Sequence, residues 1–371
     1  MDMQPKEVRN TRGSLRAAGL FSYLIAGMLC LAGIGLFLYC PMPGDTMSRA
    51  AVIRVLVWGD ILDPSMVRAF EDRTGIVVHM SYYASNEELQ AKLYQTKGFG
   101  YDLIIPSDYA VPLLRAQGLL KKLDHTRMPF FKRLNPRLLG HSFDPESEYS
   151  VPFEWELFGI GFDSRVVSQQ ETQRGWDLLF ADPQGAYRVV MSHDMPEVVV
   201  CAARYLFPGV QELSHEQRDA VQALLTRQRS WVEAYTATRA GDQLINGSAT
   251  CAMTTTTYLW NARKYAPFLG FVMPDDGGLL TIENFAIPIG AEHEDHAYAF
   301  MDFFYSSVSI LKHVAEFCHL PATLDPEVLE RLDPEARELV LMPMEKFKRL
   351  GFVKQLLPEQ QMYDLWVAVK V

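Results

Sequence analysis

The sequence predicts an α/β protein of two lobes, each a mainly parallel sheet flanked by helices. Three observations carry that reading. At 371 residues the chain exceeds what one hydrophobic core usually supports. Strand and helix patterns alternate three times within about 65 residues of Val52, which is the rhythm of βαβ units. A second such succession follows a stretch rich in aromatics and glycine at Pro152 to Gly161.

Val52 to Val57 reads as the first strand. Asp63-Pro64 opens a helix that closes at Thr74-Gly75, with proline just inside the start and glycine at the end. Trp58, Gly59 and Asp60 fall in the loop between them. Ile76 to Ser81 reads as a second strand, and Ser85 with Glu88 forms a capping box for a helix through Tyr94. Leu103 to Ile105 is apolar without alternation, as expected of a strand covered on both faces, and Pro106 ends it. Ligands of open α/β sheets sit beyond the carboxyl ends of the strands, where Ser107, Asp108 and Tyr109 present a hydroxyl, a carboxylate and a ring. That trio suits an organic cation. Ser107 or Asp108 could equally cap a helix from Tyr109 to Gln117 that Gly118 ends.

The aromatic and glycine-rich segment from Pro152 reads as a first crossover between lobes. Beyond it come a strand at Tyr187 to Met191, a helix at Pro196 to Phe207, a long helix from about Ser214, a strand at Thr250 to Thr254 and another at Phe271 to Met273. Pro274-Asp275-Asp276-Gly277-Gly278 is a turn signal, and Ile282 to Ile289 reads as the return crossover. Amphipathic helices follow from about His296.

Hydrophobic residues make up 49% and charged residues 22%, ordinary values for a globular chain. The net charge is -10; residues 1–39 hold four basic and two acidic residues, a surplus of +2, so the remainder carries -10 minus +2, or -12. This excludes nucleic acid as a partner and suits cationic ligands. Ala17 to Cys40 is uncharged and follows Lys6, Arg9, Arg12 and Arg16, the layout of an export signal or membrane anchor at 1–40, with a polar linker at 41–51. Cys40, at its outer edge, is a candidate for lipidation, although Leu36-Phe37-Leu38-Tyr39 is bulkier than the small residues usual before such a cysteine. Cys30, Cys40, Cys201, Cys251 and Cys318 are too scattered for a disulfide framework, and buried thiols are expected. A Cys201 to Cys251 bridge is chemically allowed in an oxidising compartment.

Taken in order, Trp58-Gly59-Asp60, Phe70 to Gly75, Ser85 to Glu88, Tyr101 to Tyr109, Gly118-Leu119-Leu120, Val151-Pro152-Phe153, Asp194-Met195-Pro196-Glu197, Pro274 to Gly278 and Phe285 to Pro288 resemble bacterial spermidine/putrescine-binding proteins. The resemblance covers about residues 52 to 370 and is specific as an ordered set. It implies the type II periplasmic-binding-protein fold, with lobes at 52–157 plus 284–328 and 158–283 plus 329–371. A polyamine would lie in the cleft at the hinge, and an ABC-transporter permease would receive it; a monomer and no cofactor are expected. It also implies that the Trp58 ring stacks on the methylene chain, that Ser107 and Tyr109 face the ligand, that Asp194 and Glu197 bind an amine, that Glu283 grips the inner ammonium, and that Asp60 is an acidic contact. Positions where the family carries cage aromatics hold Ile61, Thr255, Thr281 and Leu320 here, and Val353 replaces a late glutamine. Glu154 and Glu156, acidic where the family is commonly neutral, offer compensating charge. The missing rings leave open another small cation, such as thiamine or iron, and a role in sensing ligand occupancy.

From the residues alone, Asp194 and Glu197 have the spacing of a helix cap as well as of a carboxylate pair. Glu283 lies in an otherwise apolar strand, where an unpaired carboxylate is rare, which favours a ligand role. Trp58 suits a core as well as a site. Thr254 to Thr257 reads as a β-branched strand end whose hydroxyls, Thr255 among them, can face a cleft. A carboxylate pair also suits glycoside hydrolysis, but no G-x-S-x-G, H-E-x-x-H or phosphate loop accompanies it. His293, Glu294, Asp295 and His296 could hold a metal, or start an exposed helix.

Overall fold

A computed structural model describes Met28 and residues 51–59, 61–236, 239–274 and 277–370. Asp60, Cys40, the apolar stretch around it and part of the Pro274 to Gly278 turn lie outside the described residues. Among the described residues no helix is long and apolar enough to cross a membrane.

The first elements follow from local signals. β1 (Ala51–Trp58) leads to α1 (Pro64–Thr74), where Asp63 accepts from Ser65 N at 2.8 Å and Gly75 closes the end at φ 71°. β2 (Ile76–Tyr83) leads to α2 (Asn86–Thr96). Ser85 Oγ accepts from Glu88 N at 3.2 Å, while the Glu88 carboxylate reaches back to Ala84 N at 2.8 Å, one residue beyond the expected partner. β3 (Leu103–Ile104) pairs parallel with β1, giving the order β2-β1-β3. α3 (Val111–Ala116) starts later than the sequence suggests and has no side-chain cap, so neither Ser107 nor Asp108 is spent on it.

The crossover segment is one long strand, β4 (Val151–Asp163), buried along its whole length except at Glu156. Apolar packing on both faces explains why its sequence does not alternate. Next come β5 (Val189–Met191), α4 (Met195–Leu206), α5 (His215–Gln228) with a full capping box between Ser214 and Gln217, and an unforeseen β6 (Val232–Tyr235). β7 (Cys251–Thr255) runs directly into α6 (Thr256–Arg263), because Thr255 Oγ1 accepts from Tyr258 N at 3.3 Å and caps it. The Thr254 to Thr257 run is therefore a strand-to-helix corner. β8 (Leu269–Val272), β9 (Leu279–Phe285), α7 (Glu294–Phe304), α8 (Ser307–Phe317), β10 (Leu320–Pro321), β11 (Gly351–Phe352) and α9 (Glu359–Lys370) complete the elements used below.

The larger sheet has the order β11-β9-β4-β7-β5-β6, with β8 and β10 also on β4. Pairings among β5, β6 and β7 are parallel, whereas β4 runs antiparallel to β7, β8, β9 and β10. β9 does not stop there: Ile104 and Ala286 exchange backbone bonds at 2.9 and 3.0 Å, Asn284 N reaches Pro106 O at 2.9 Å, and Asp108 N reaches Ile282 O at 2.9 Å. Both crossovers thus form one antiparallel ribbon joining the two sheets, with a bulge between Pro152 and Glu154. One apolar core packs Leu56, Leu89, Ile104 and Val111, and another packs Ile160, Val189, Val199 and Leu225. Cys201 and Cys251 are both buried and are not joined to each other as a disulfide.

Asp102 ties the first sheet to α7. Its carboxylate accepts from Arg54 N at 2.9 Å, Glu292 N at 3.0 Å and His293 N at 2.9 Å. Burial pushes this carboxyl up, but the Arg54 and His293 N–H groups outweigh that and hold it below its ordinary value. His293 is Asp102's partner and His296 Nδ1 bonds Val52 O at 2.6 Å, so these histidines serve the helix start rather than a metal. Hydrogen bonds to a charged group contribute roughly 1.5 to 3 kcal/mol each. Asp102→Ala should lower stability by at least about 3 kcal/mol, read as a shifted urea midpoint; an unchanged midpoint would contradict this joint.

Candidate functional site

The ribbon delivers Glu283 to the junction of the two sheets. β9 pairs with β4 at Glu283↔Glu154, and a bridge sets Ser107 against Glu283. Ser107 Oγ donates to Glu283 Oε1 at 2.6 Å and accepts from Asn86 Nδ2 at 3.1 Å, while Trp58 Nε1 donates to Glu283 Oε2 at 3.0 Å. Each donor is neutral. Burial pushes the Glu283 carboxyl well above its ordinary value, and the charges of Glu154 and Asp108 push the same way. The Trp58 ring also packs on Tyr83, centroids 4.6 Å apart, so its N–H edge is committed to Glu283.

A cavity of about 590 Å³ opens beside this group. Trp58, Ser107, Tyr109, Asp194, Glu197, Thr255 and Glu283 all line it, and Gly59, neighbour of Asp60, does too. Its carboxylates are Glu154, Glu156, Asp194, Glu197 and Glu283, and among the described residues no lysine or arginine lines it. Asp194 caps α4, accepting from Glu197 N, yet Glu197 does not return the bond: Ser192 Oγ donates to its Oε2, and Asp194 N donates to Ser192 Oγ at 3.1 Å. Capping occupies one oxygen and leaves the pair facing the cavity. Burial first, then the charge of Glu87, pushes Asp194 up to about 6. Burial and the charge of Asp194 push Glu197 well above its ordinary value.

Asp108 is placed apart from this group. Its side chain accepts from Ile282 N at 3.1 Å and lines a second cavity of about 470 Å³ on the other side of Tyr109, where burial pushes it up to about 8. Val353 lies in that second cavity, and Leu320 is fully buried, lining neither. Ile61 and Thr281 do line the first. Rings reach that cavity from positions that sequence reasoning passed over: Tyr83, Tyr258 and Phe317. Tyr258 was detectable in principle, since Thr255 three residues before it has the spacing of a helix N-cap. Glu154 is engaged by His313 and His319, so its charge is shared with those rings, while Glu156 faces the cavity. Burial pushes Glu154 up to about 7 and His319 down to about 4.

Two sheets joined by a crossover ribbon around a ligand-sized, acid-lined cleft define a solute-binding protein. Residues 65–325 match the bacterial extracellular solute-binding protein family, and the chain belongs to that family. It is 28% identical over 291 residues to the spermidine/putrescine-binding periplasmic protein of Salmonella typhimurium, covering 76% of this chain and 83% of that one. A putrescine-binding periplasmic protein of Pseudomonas aeruginosa is 28% identical over 313 residues, covering 78% and 84%. Among solved structures, the substrate-binding protein of a spermidine/putrescine ABC transporter from Streptococcus pneumoniae superposes with a TM-score of 0.75 at 23% identity, covering 86% of this chain and 98% of that one. The architecture is the type II periplasmic-binding-protein fold.

Raised carboxyls have a consequence for stability. The unfolded chain ionises Asp194 near its ordinary 3.8 and the folded chain near 6, so the folded state binds more protons in between and stability falls as pH rises through that window. Asp194→Asn keeps the cap, since asparagine caps as well as aspartate. It should raise the melting temperature of the cation-free protein at pH 7 by about 2 °C or more, with the gain vanishing below about pH 4. An Asp194→Asn melting temperature that does not exceed the wild type's at pH 7 would contradict the raised Asp194 carboxyl argued here.

Proposed function

We propose that this chain is an extracytoplasmic binding protein that captures a linear polyamine, spermidine or putrescine, and delivers it to an ABC-transporter permease. The observation that carries the reading is the cavity wall: five carboxylates with no lysine or arginine among the described residues, at the junction of both sheets. A chain bearing two or more ammonium groups offers one positive charge for each carboxylate it meets and methylenes for the rings between them. The names of the relatives point to the same ligand class, and a binding role, not catalysis, is what the family performs. The lobes are 52–157 plus 284–328 and 158–283 plus 329–371, closing about the ribbon of β4 and β9. Trp58, Ser107, Tyr109, Asp194, Glu197, Glu283 and Thr255 contact the ligand, Asp60 is the acidic contact that the resemblance implies, and Asp108 supports β9 from behind. The protein acts as a monomer in the periplasm.

Removing one partner of a desolvated charge pair costs roughly 2 to 5 kcal/mol, and about 1.4 kcal/mol is tenfold in affinity. In calorimetric titrations with spermidine and putrescine, Glu283→Gln and Asp194→Asn should each weaken binding at least about tenfold. Trp58→Phe keeps the ring, drops the N–H to Glu283 and should have a smaller effect. Glu294→Gln should have none, because Glu294 pairs with Lys121 at 2.9 Å outside the cavity. Failure of both polyamines to bind, or preference for thiamine, iron or a neutral sugar in the same assay, would overturn the assignment.

We further propose that the segment ending at Cys40 holds the protein at the cytoplasmic membrane, with its basic end inside. Mass spectrometry of the native protein decides how: a chain beginning at a lipid-bearing Cys40 supports lipidation, and an intact Met1 rules it out.

A further inference from the structure

His313 and His319, which the polyamine reading does not use, converge on Glu154, one of the five carboxylates of the cavity wall. Glu154 comes from β4 next to the bulge, His313 from the last turns of α8, and His319 from the residue before β10. Three features fix the cluster in place. β10 pairs with β4 at Leu320↔Trp155 and Pro321↔Glu154. Cys318 ends α8 in the left-handed conformation at φ 62°, which turns the chain back so that both histidines approach the same carboxylate. Phe153, Phe304 and Phe317 enclose the His313 ring, centroids 5.0 to 5.3 Å away.

The donor atoms converge. His319 Nδ1 stands 2.5 Å from Glu154 Oε2 and 3.4 Å from His313 Nε2, which itself contacts the same carboxylate oxygen. All three lie within 4.8 Å of one another. Metal–donor distances of about 2.0 to 2.1 Å at tetrahedral angles place donors about 3.3 Å apart, close to the nitrogen–nitrogen separation here. Glu154 Oε2 sits nearer than that. Its partner oxygen, Oε1, is buried with no hydrogen-bond partner, so rotation about the terminal bond can present either oxygen or both. Two imidazoles and one carboxylate, in apolar surroundings, are a ligand set suited to a borderline divalent ion.

We propose that Glu154, His313 and His319 bind a zinc-class divalent cation, with an open coordination position facing the ligand cavity that Glu154 and His319 line. The site shares Glu154 and the cavity with the polyamine reading, but its two histidines make its test independent of that reading.

The test uses the full chain in detergent, stripped with a chelator and titrated with ZnCl₂, and separately with CoCl₂, whose visible bands report coordination. The expected result is one tightly bound ion per chain with the spectrum of a four-coordinate site. His319→Asn and Glu154→Gln should each weaken zinc binding at least about tenfold and abolish those bands. His79→Asn, on an exposed part of β2, should change nothing. Should Glu154→Gln fail to fold, His319→Asn decides, since its ring lies at the cavity edge. No stoichiometric ion, or equal affinity in His319→Asn, would overturn the site. Spermidine binding by the same stripped protein is read separately, so loss of one reading leaves the other standing.

Discussion

The structure turns on a carboxylate with no cation beside it. Glu283 lies where β9 passes from the larger sheet to β3, and its two oxygens are held by Trp58 and Ser107, neutral donors from the end of β1 and the loop after β3. A buried charge satisfied only by neutral groups is stabilised in position but not in charge. Folding therefore builds a site that is electrostatically incomplete. Glu197 and Asp194 repeat the arrangement from the other sheet, where the start of α4 and Ser192 fix the geometry without supplying positive charge. Stability given up by the free protein is recoverable on binding, which is what makes a cationic ligand act as a structural partner.

That incompleteness sits on the mechanically telling part of the chain. The β4–β9 ribbon is the connection the two crossovers make, and Glu154 and Glu283 face each other across it beside the bulge. A bulge adds local twist and breaks the regularity of a ladder, so small torsional changes there re-aim whole sheets while leaving each core intact. Residues on the ribbon and at the loop ends bordering it supply charge to one cavity, and a ligand that pairs those charges bridges both sheets. The proposed hinge and the candidate site thus fall on the same few residues.

What was legible in the sequence follows the range of the forces involved. α1 and α2 were readable from Asp63, Gly75, Ser85 and Glu88, because caps act within four residues. β4 was readable from its aromatic- and glycine-rich segment, Pro152 to Gly161. Ser107 and Asp108 looked like caps for the same local reason, and tertiary bonds to Glu283 and Ile282 claimed them instead. Thr255 shows the converse: read as a strand end, it caps α6 and carries Tyr258 to the cavity. The Trp58 to Glu283 bond spans 225 positions and the His313 to Glu154 contact spans 159, separations at which no local pattern carries information. Glu283 itself was legible, since an acidic residue in an apolar strand is costly wherever it lands.

The replacement of cage rings by Ile61, Thr255 and Thr281 then has a physical meaning. A ring over an ammonium contributes roughly 0.5 to 2 kcal/mol, less than a paired, desolvated carboxylate. Losing rings while retaining acids keeps selection by charge and weakens selection by shape. Tyr83, Tyr258 and Phe317 bring aromatic surface to the cavity from β2, α6 and α8. In the proposed reading, charge on the ribbon selects the class of molecule that completes the fold, and the rings supply apolar surface between the carboxylates.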